Sequence, residues 1–280
     1  LNTVYDSKDG GWAWDAKHFW YEAKDGTSVS TVYNGGKVTG TGENVGGIAG
    51  LSNGSEYTNV YNTGNVTGGT NVGGLLGKVT STYVSPVYTN DYPAVDTGEI
   101  KTSNSKNTIT NTYNTGAVNG NAAGGLVGSA AAGTTVTDSY YAVTNAAGEA
   151  INAANDSGLG TAKTLAQMKR ASLYTSWNLD SRGGNDNVWR IYQGETTPFL
   201  KHWLTPVAVT GLVDQYVEYD GNVHSPTFTG ETYSMPVDES KIFKAGAVSA
   251  TGKHALLYST QDGYDISGDK IFKLARTLTL

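Results

Sequence analysis

The side chains in this sequence that could do chemistry are carboxylates, imidazoles and aromatic rings, and they are unevenly spread. The four histidines, at 18, 202, 224 and 254, are far apart and show no metal-ligand spacing. Between residues 29 and 145 there is no Arg and no His, and the only aspartates are Asp91, Asp96 and Asp138. A paired acid and base for glycoside cleavage is hard to assemble from that set. So is the calcium and arginine site of a polysaccharide lyase. The run DSRGGNDN, residues 180–187, has oxygen ligands at close spacing but lacks the glycine position and closing glutamate of an EF-hand loop, so it reads as a polar turn. No catalytic residue, metal or cofactor is expected, and no enzymatic turnover.

Aromatic rings are what remain. Tyr83, Tyr88 and Tyr92 fall within residues 81–104, with Pro86, Pro93 and four charged residues. Rings on a long segment held by a rigid scaffold stack on sugars or anchor a protein partner. These three tyrosines are therefore the expected ligand-binding residues; the bland alternative is an inert loop or small hairpin. Trp12, Trp14 and Trp20 form a second aromatic cluster, read either as a cover for an open end of the fold or as a sugar platform. Thr39, Thr63, Thr67, Thr70 and Thr115 do not form the regular column that an ice-binding face needs.

The scaffold behind these residues is a repeat. VYNGGKVTGTGENVGGIAG (32–50), VYNTGNVTGGTNVGGLLG (60–77) and TYNTGAVNGNAAGGLVG (112–128) are variants of one unit, and SYYAV (139–143) begins a decayed fourth. Its tyrosines stand at 33, 61, 113 and 140, so the steps are 28, 52 and 27, the long step holding the 81–104 insertion. Periods of this size mean stacked units that share a core no single unit could bury. Counting back by twos aligns Val29-Thr31-Tyr33, Tyr57-Asn59-Tyr61, Ile109-Asn111-Tyr113 and Val136-Asp138-Tyr140, the period of a strand. The expected fold class is all-β: a parallel β-helix whose tyrosines stack, with Asn59, Asn111 and Asp138 as an internal hydrogen-bonded ladder. The pairs Gly46-Gly47, Gly73-Gly74 and Gly124-Gly125 would serve tight corners or close backbone approach.

The pattern Tyr-Asn-Thr-Gly-x-Val-x-Gly…Val-Gly-Gly-Leu-x-Gly resembles the GLUG motif of bacterial surface proteins, over roughly residues 29–145. That motif is common in large adhesins exported by two-partner secretion, the filamentous-haemagglutinin-like group. The resemblance implies a right-handed, surface-exposed β-solenoid stalk of an extracellular or cell-surface protein, and attachment to a host surface protein or glycan. It does not imply a particular ligand. The runner-up readings are a purely structural spacer and a polysaccharide-active β-helix enzyme.

The flanks divide further. Residues 1–28 are read as an N-terminal cap or degenerate coil. Residues 146–204 are read as a mixed α/β C-terminal cap containing one helix over 161–174, TAKTLAQMKRASLY, started by Thr161 or Thr164. Its SWNLDSRGGNDNVWRIYQGETTPFLKHW tail is similar to the segment that closes GLUG arrays. Residues 205–280, with VEYDGNVH and GYDISGD, resemble the small β-sandwich-like MBG or YDG modules of bacterial surface proteins.

Composition agrees with a β protein full of turns: 37 Gly and 18 Tyr against only 16% charged residues. A net charge of −6 offers no attraction for nucleic acid or an anionic membrane. With no cysteine there is no disulfide, and no apolar run is long enough to insert in a membrane as a helix. The start at Leu1 and the end at Leu280 read as a monomeric fragment of a longer chain.

Overall fold

The computed structural model describes residues 10–14, 17–23, 27–152 and 159–276. The chain is all-β, with parallel sheets, and divides into two compact units, residues 1–163 and 164–280.

In the first unit each repeat supplies strands to three parallel sheets. The first sheet runs Thr161–Lys163, Tyr140–Ala142, Thr108–Asn114, Glu56–Asn62, Ser28–Asn34, with Thr135–Thr137 also on Thr108–Asn114. The second places Val118–Gly124 and both Val38–Thr39 and Glu43–Gly46 on Val66–Gly73; the third orders Val127–Ala130, Leu76–Thr80, Ala49–Asn53. Equivalent residues pair: Val29 with Tyr57 with Ile109 with Val136, and Val38 with Val66 with Val118. These columns make the core. Tyr57, Val60, Leu75, Leu76, Val79, Ile109, Leu126 and Val127 form one buried cluster, and Val66, Val72 and Val118 another. Each such side chain contributes about 1.5–3 kcal/mol by burial.

The tyrosines stand in file. Tyr33 and Tyr61 stack at 5.2 Å between ring centroids and Tyr61 and Tyr113 at 4.7 Å, while Tyr140 pairs in register with Tyr113. Burial, followed by the neighbouring Tyr113 and Tyr33 hydroxyls, pushes the Tyr61 phenol far above its ordinary range.

The residues two places before each tyrosine do not all face the interior as the count by twos expects. Thr31, Asn59, Asn111 and Asp138 all stand at positive φ, between 45° and 58°. A left-handed residue turns the chain, so alternation is broken there and counting by twos across it fails. Val60, Tyr61 and Asn62 are consecutively buried, and Asp138, assigned to the interior by that count, is exposed.

A buried ladder runs through the residue after each tyrosine. Asn34 Nδ2 donates to Asn62 Oδ1 at 2.9 Å, and Asn62 Nδ2 to Asn114 Oδ1 at 2.8 Å. Each Asn also closes a local turn, its Oδ1 accepting from the amide of Gly36, Gly64 or Gly116. The columns leave no room for a side chain at the glycine pairs: a Cβ on Gly74 would lie 2.2 Å from the Gly125 carbonyl oxygen and 2.3 Å from Asn114 Nδ2.

The helix expected over 161–174 is a single turn, Leu165–Met168. Thr161–Lys163 is extended instead, because its backbone completes the sheet edge, the Thr161 amide donating to the Ser139 carbonyl at 2.9 Å. Thr164 is the N-cap and forms a capping box with Gln167. The second unit packs residues from both sides of position 204 into one core, in which Tyr192 is buried with Val207, Val209, Leu256, Ile266 and Phe272. The sequence division between 204 and 205 falls inside this unit.

Candidate functional site

The insertion between the second and third repeats is an antiparallel hairpin, Thr82–Thr89 with Asp96–Asn104. Its alternating Tyr-Val-Ser-Pro-Val-Tyr favours a strand, and a connection with a cis Tyr92–Pro93 bond reverses the chain. At its base the Ser105 amide donates to the Ser81 carbonyl at 2.8 Å, so the insertion leaves and re-enters the repeat through neighbouring residues. The register of Tyr61 with Tyr113 is undisturbed.

The hairpin does not stand alone. Tyr88 pairs with Phe19 and Thr89 with His18, and the Asn90 amide donates to the Lys17 carbonyl at 2.7 Å. The strand His18–Ala23 pairs in turn with Gly10–Trp14, giving a four-stranded antiparallel sheet. Nothing local in the sequence announces this long-range pairing. The side chains of Trp12, Trp14 and Trp20, read as cap or sugar platform, lie outside the described residues.

The three candidate tyrosines are not gathered into one platform. Tyr83 shares a strand face with the buried Ser85 and Val87, whereas Tyr88, half-buried, lies on the face of Val84 and Pro86. Tyr92 sits in the connection and is 99% exposed. What the hairpin does present is apolar surface that the sequence reading passed over: Val84 is 52% and Ile100 68% exposed, with Val95 near the tip. Val84 stands opposite Thr102 and Pro86 opposite Ile100, so these four share one outward face.

Elsewhere the ionisable groups are engaged locally. His224 Nε2 lies 2.7 Å from Asp220 Oδ1, and His254 Nδ1 2.7 Å from Glu195 Oε1. The Asp180 carboxylate turns to the Arg182 amide at 2.8 Å, with Lys201 Nζ 3.6 Å away, rather than presenting oxygens to a cation. Burial alone would raise that carboxyl. The Arg182 amide and the Arg190 and Lys201 charges outweigh burial and hold it below its ordinary value. Arg190, fully buried, donates to Asp265 at 3.1 Å and lies 4.0 Å over the Tyr192 ring. Burial pushes the Tyr192 phenol up to about 12 and the Asp269 carboxyl up to about 7. Among the described residues, no group of three or more His, Asp or Glu side chains is placed to hold a metal ion. A polar hollow of about 450 Å³, lined by Thr134, Thr135, Asp138, Ser139 and Thr161, opens beside the last strands of the first unit.

Comparison with known proteins returned no matching family model, no matching curated protein and no matching solved structure.

Proposed function

We propose that this chain is a segment of a large bacterial surface or secreted adhesin, in which a parallel β-helix holds the 82–104 hairpin out as an attachment element for a host protein or glycan. The observation that carries the reading is the hairpin itself. It interrupts a register-locked repeat without disturbing it, and it exposes Val84, Tyr92, Val95 and Ile100. Large apolar side chains grouped on one exposed element suit recognition better than stability. The GLUG-like repeats supply the stiff support, since each unit's Tyr and Asn lie on those of the next. Attachment of this kind is mechanical and gains strength from many copies on one surface. The export route and extracellular setting come from the resemblance alone, as does the MBG-like assignment of residues 205–280.

Ser81 and Ser105 are hydrogen-bonded neighbours, so residues 82–104 can be replaced by a short glycine-containing turn with the repeats left in place. Both versions would be screened against arrays of glycans and matrix proteins. Saturable binding by the intact chain, lost from the version lacking the hairpin while its circular dichroism is unchanged, is the expected result. Binding kept in full without the hairpin overturns its role. No binding by either version favours a plain spacer.

A further inference from the structure

In the first parallel sheet Val29, Tyr57, Ile109 and Val136 turn toward the core, so the residues on either side of each turn outward. Those outward residues are Ser28 and Ser30, Glu56 and Thr58, Thr108 and Thr110, Thr135 and Thr137. The register stacks them in two columns. One runs Ser28, Glu56, Thr108, Thr135, and the other Ser30, Thr58, Thr110, Thr137. Every position but Glu56 carries a hydroxyl, and all of them are exposed or half-buried. Thr39, Thr67 and Thr70 belong to the second sheet and take no part. The columns are straight. Strands of an ordinary sheet rotate by about 20–25° from one to the next. The rings of Tyr33, Tyr61 and Tyr113, on these same strands, lie only 12° and 7° from parallel.

We propose that this face binds ice. Its side chains repeat about every 4.8 Å from rung to rung and about every 6.6 Å along each strand. Water oxygens on a prism face of ice repeat at closely similar spacings in two directions. Threonine is β-branched and stiff at χ1, so each hydroxyl and each methyl is held at a fixed place in the array. Rows of methyl groups restrict the first layer of water, and the hydroxyls bond that layer to the protein. The columns hold no aromatic ring and one charge, Glu56, so they lack the groups that grip sugar rings or polyanions. The inference does not rest on the adhesive reading.

Thermal hysteresis and inhibition of ice recrystallisation, measured on the whole chain up to millimolar concentration, test it. The intact chain should shape ice crystals, hold the freezing point below the melting point and stop recrystallisation. T58Y and T110Y each set a ring in the middle of a column and should abolish both effects. E56T completes the first column and should act at lower concentration than the parent. T39Y, at an exposed position on the second sheet, should behave as the parent does. Circular dichroism near 0 °C checks that the sheets are intact in each variant. A parent chain without effect on ice at millimolar concentration overturns the proposal. So does activity that survives in T58Y and T110Y, activity lost equally in T39Y, or an E56T no stronger than the parent.

Discussion

Replacing Asn62 by alanine strikes the repeat stack where its polar groups are most tightly matched. The side chain is fully buried and makes four bonds. Its Nδ2 donates to Asn114 Oδ1 at 2.8 Å and to the Gly64 carbonyl at 2.6 Å. Its Oδ1 accepts from Asn34 Nδ2 at 2.9 Å and from the Gly64 amide at 3.2 Å. Alanine removes all four. Asn114 Oδ1 keeps the Gly116 amide and Asn34 Nδ2 keeps the Gly36 carbonyl, so those two neighbours retain a partner. The amide and carbonyl of buried Gly64 do not. At about 1–3 kcal/mol for each buried polar group left unpaired, with some cavity cost added, the loss is about 3–5 kcal/mol. Asn34 makes an equivalent turn at the half-exposed end of the ladder, where water can replace what alanine removes. Asn34→Ala should therefore cost only about 1 kcal/mol. Urea unfolding followed by far-UV circular dichroism gives both values. Hydrogen exchange of peptides spanning 56–77 places the loss in the stack. Equal costs at the two positions would refute the argument that burial, rather than the turn alone, makes Asn62 expensive.

Three further outcomes follow from the same packing. Gly74→Ala should destabilise by about 3 kcal/mol because its Cβ meets the Gly125 carbonyl, whereas Gly42→Ala, with nothing within 4 Å, should change urea midpoints little. Ser52 is buried, its hydroxyl has no partner among the described residues, and it pairs with Val79, so Ser52→Val should raise the midpoint by about 1 kcal/mol equivalent. Asp269 holds its proton up to about 7 in the folded chain because burial disfavours the charge. A raised folded value gives stability that is fully present below the ordinary carboxyl range and lost as pH climbs through about 7, a swing of up to about 4 kcal/mol. Asp269→Asn stays neutral, so tryptophan-monitored unfolding should show the second unit losing less stability between pH 5 and 8 than in the parent chain. An equal loss would contradict this.

Much of the first unit is legible because identical residue types recur at fixed offsets. Val38, Val66 and Val118 each follow a repeat tyrosine by five residues, and they pair as that spacing implies. The count by twos runs straight through Asn59, Asn111 and Asp138 because they look like polar strand residues, while their left-handed backbone shows only in φ. The Asn-x-Gly triplets at 34, 62 and 114 carry the signal that would have found it, since Asn favours turns closed by its own side chain. The helix at 165 is one turn because a sheet edge claimed Thr161–Lys163, a tertiary demand stronger than local propensity. For the candidate site, the sequence located the insertion and its tyrosines. It did not reveal that Tyr83 and Tyr88 lie on opposite strand faces, or that Tyr88 pairs with Phe19 some seventy residues earlier.

Everything here depends on the repeats lying on one another in register, and the natural absence of cysteine makes that open to a clean cross-linking measurement. Thr58 pairs with Ser30 on one side and Thr110 on the other, while Ser30 and Thr110 are two strand spacings apart, about 9.6 Å. Cysteine pairs at 30/58 and at 58/110 should oxidise to intramolecular disulfides, and the 30/110 pair should not. Ready cross-linking of 30 to 110, or failure of 58 to reach 110, would contradict the stack.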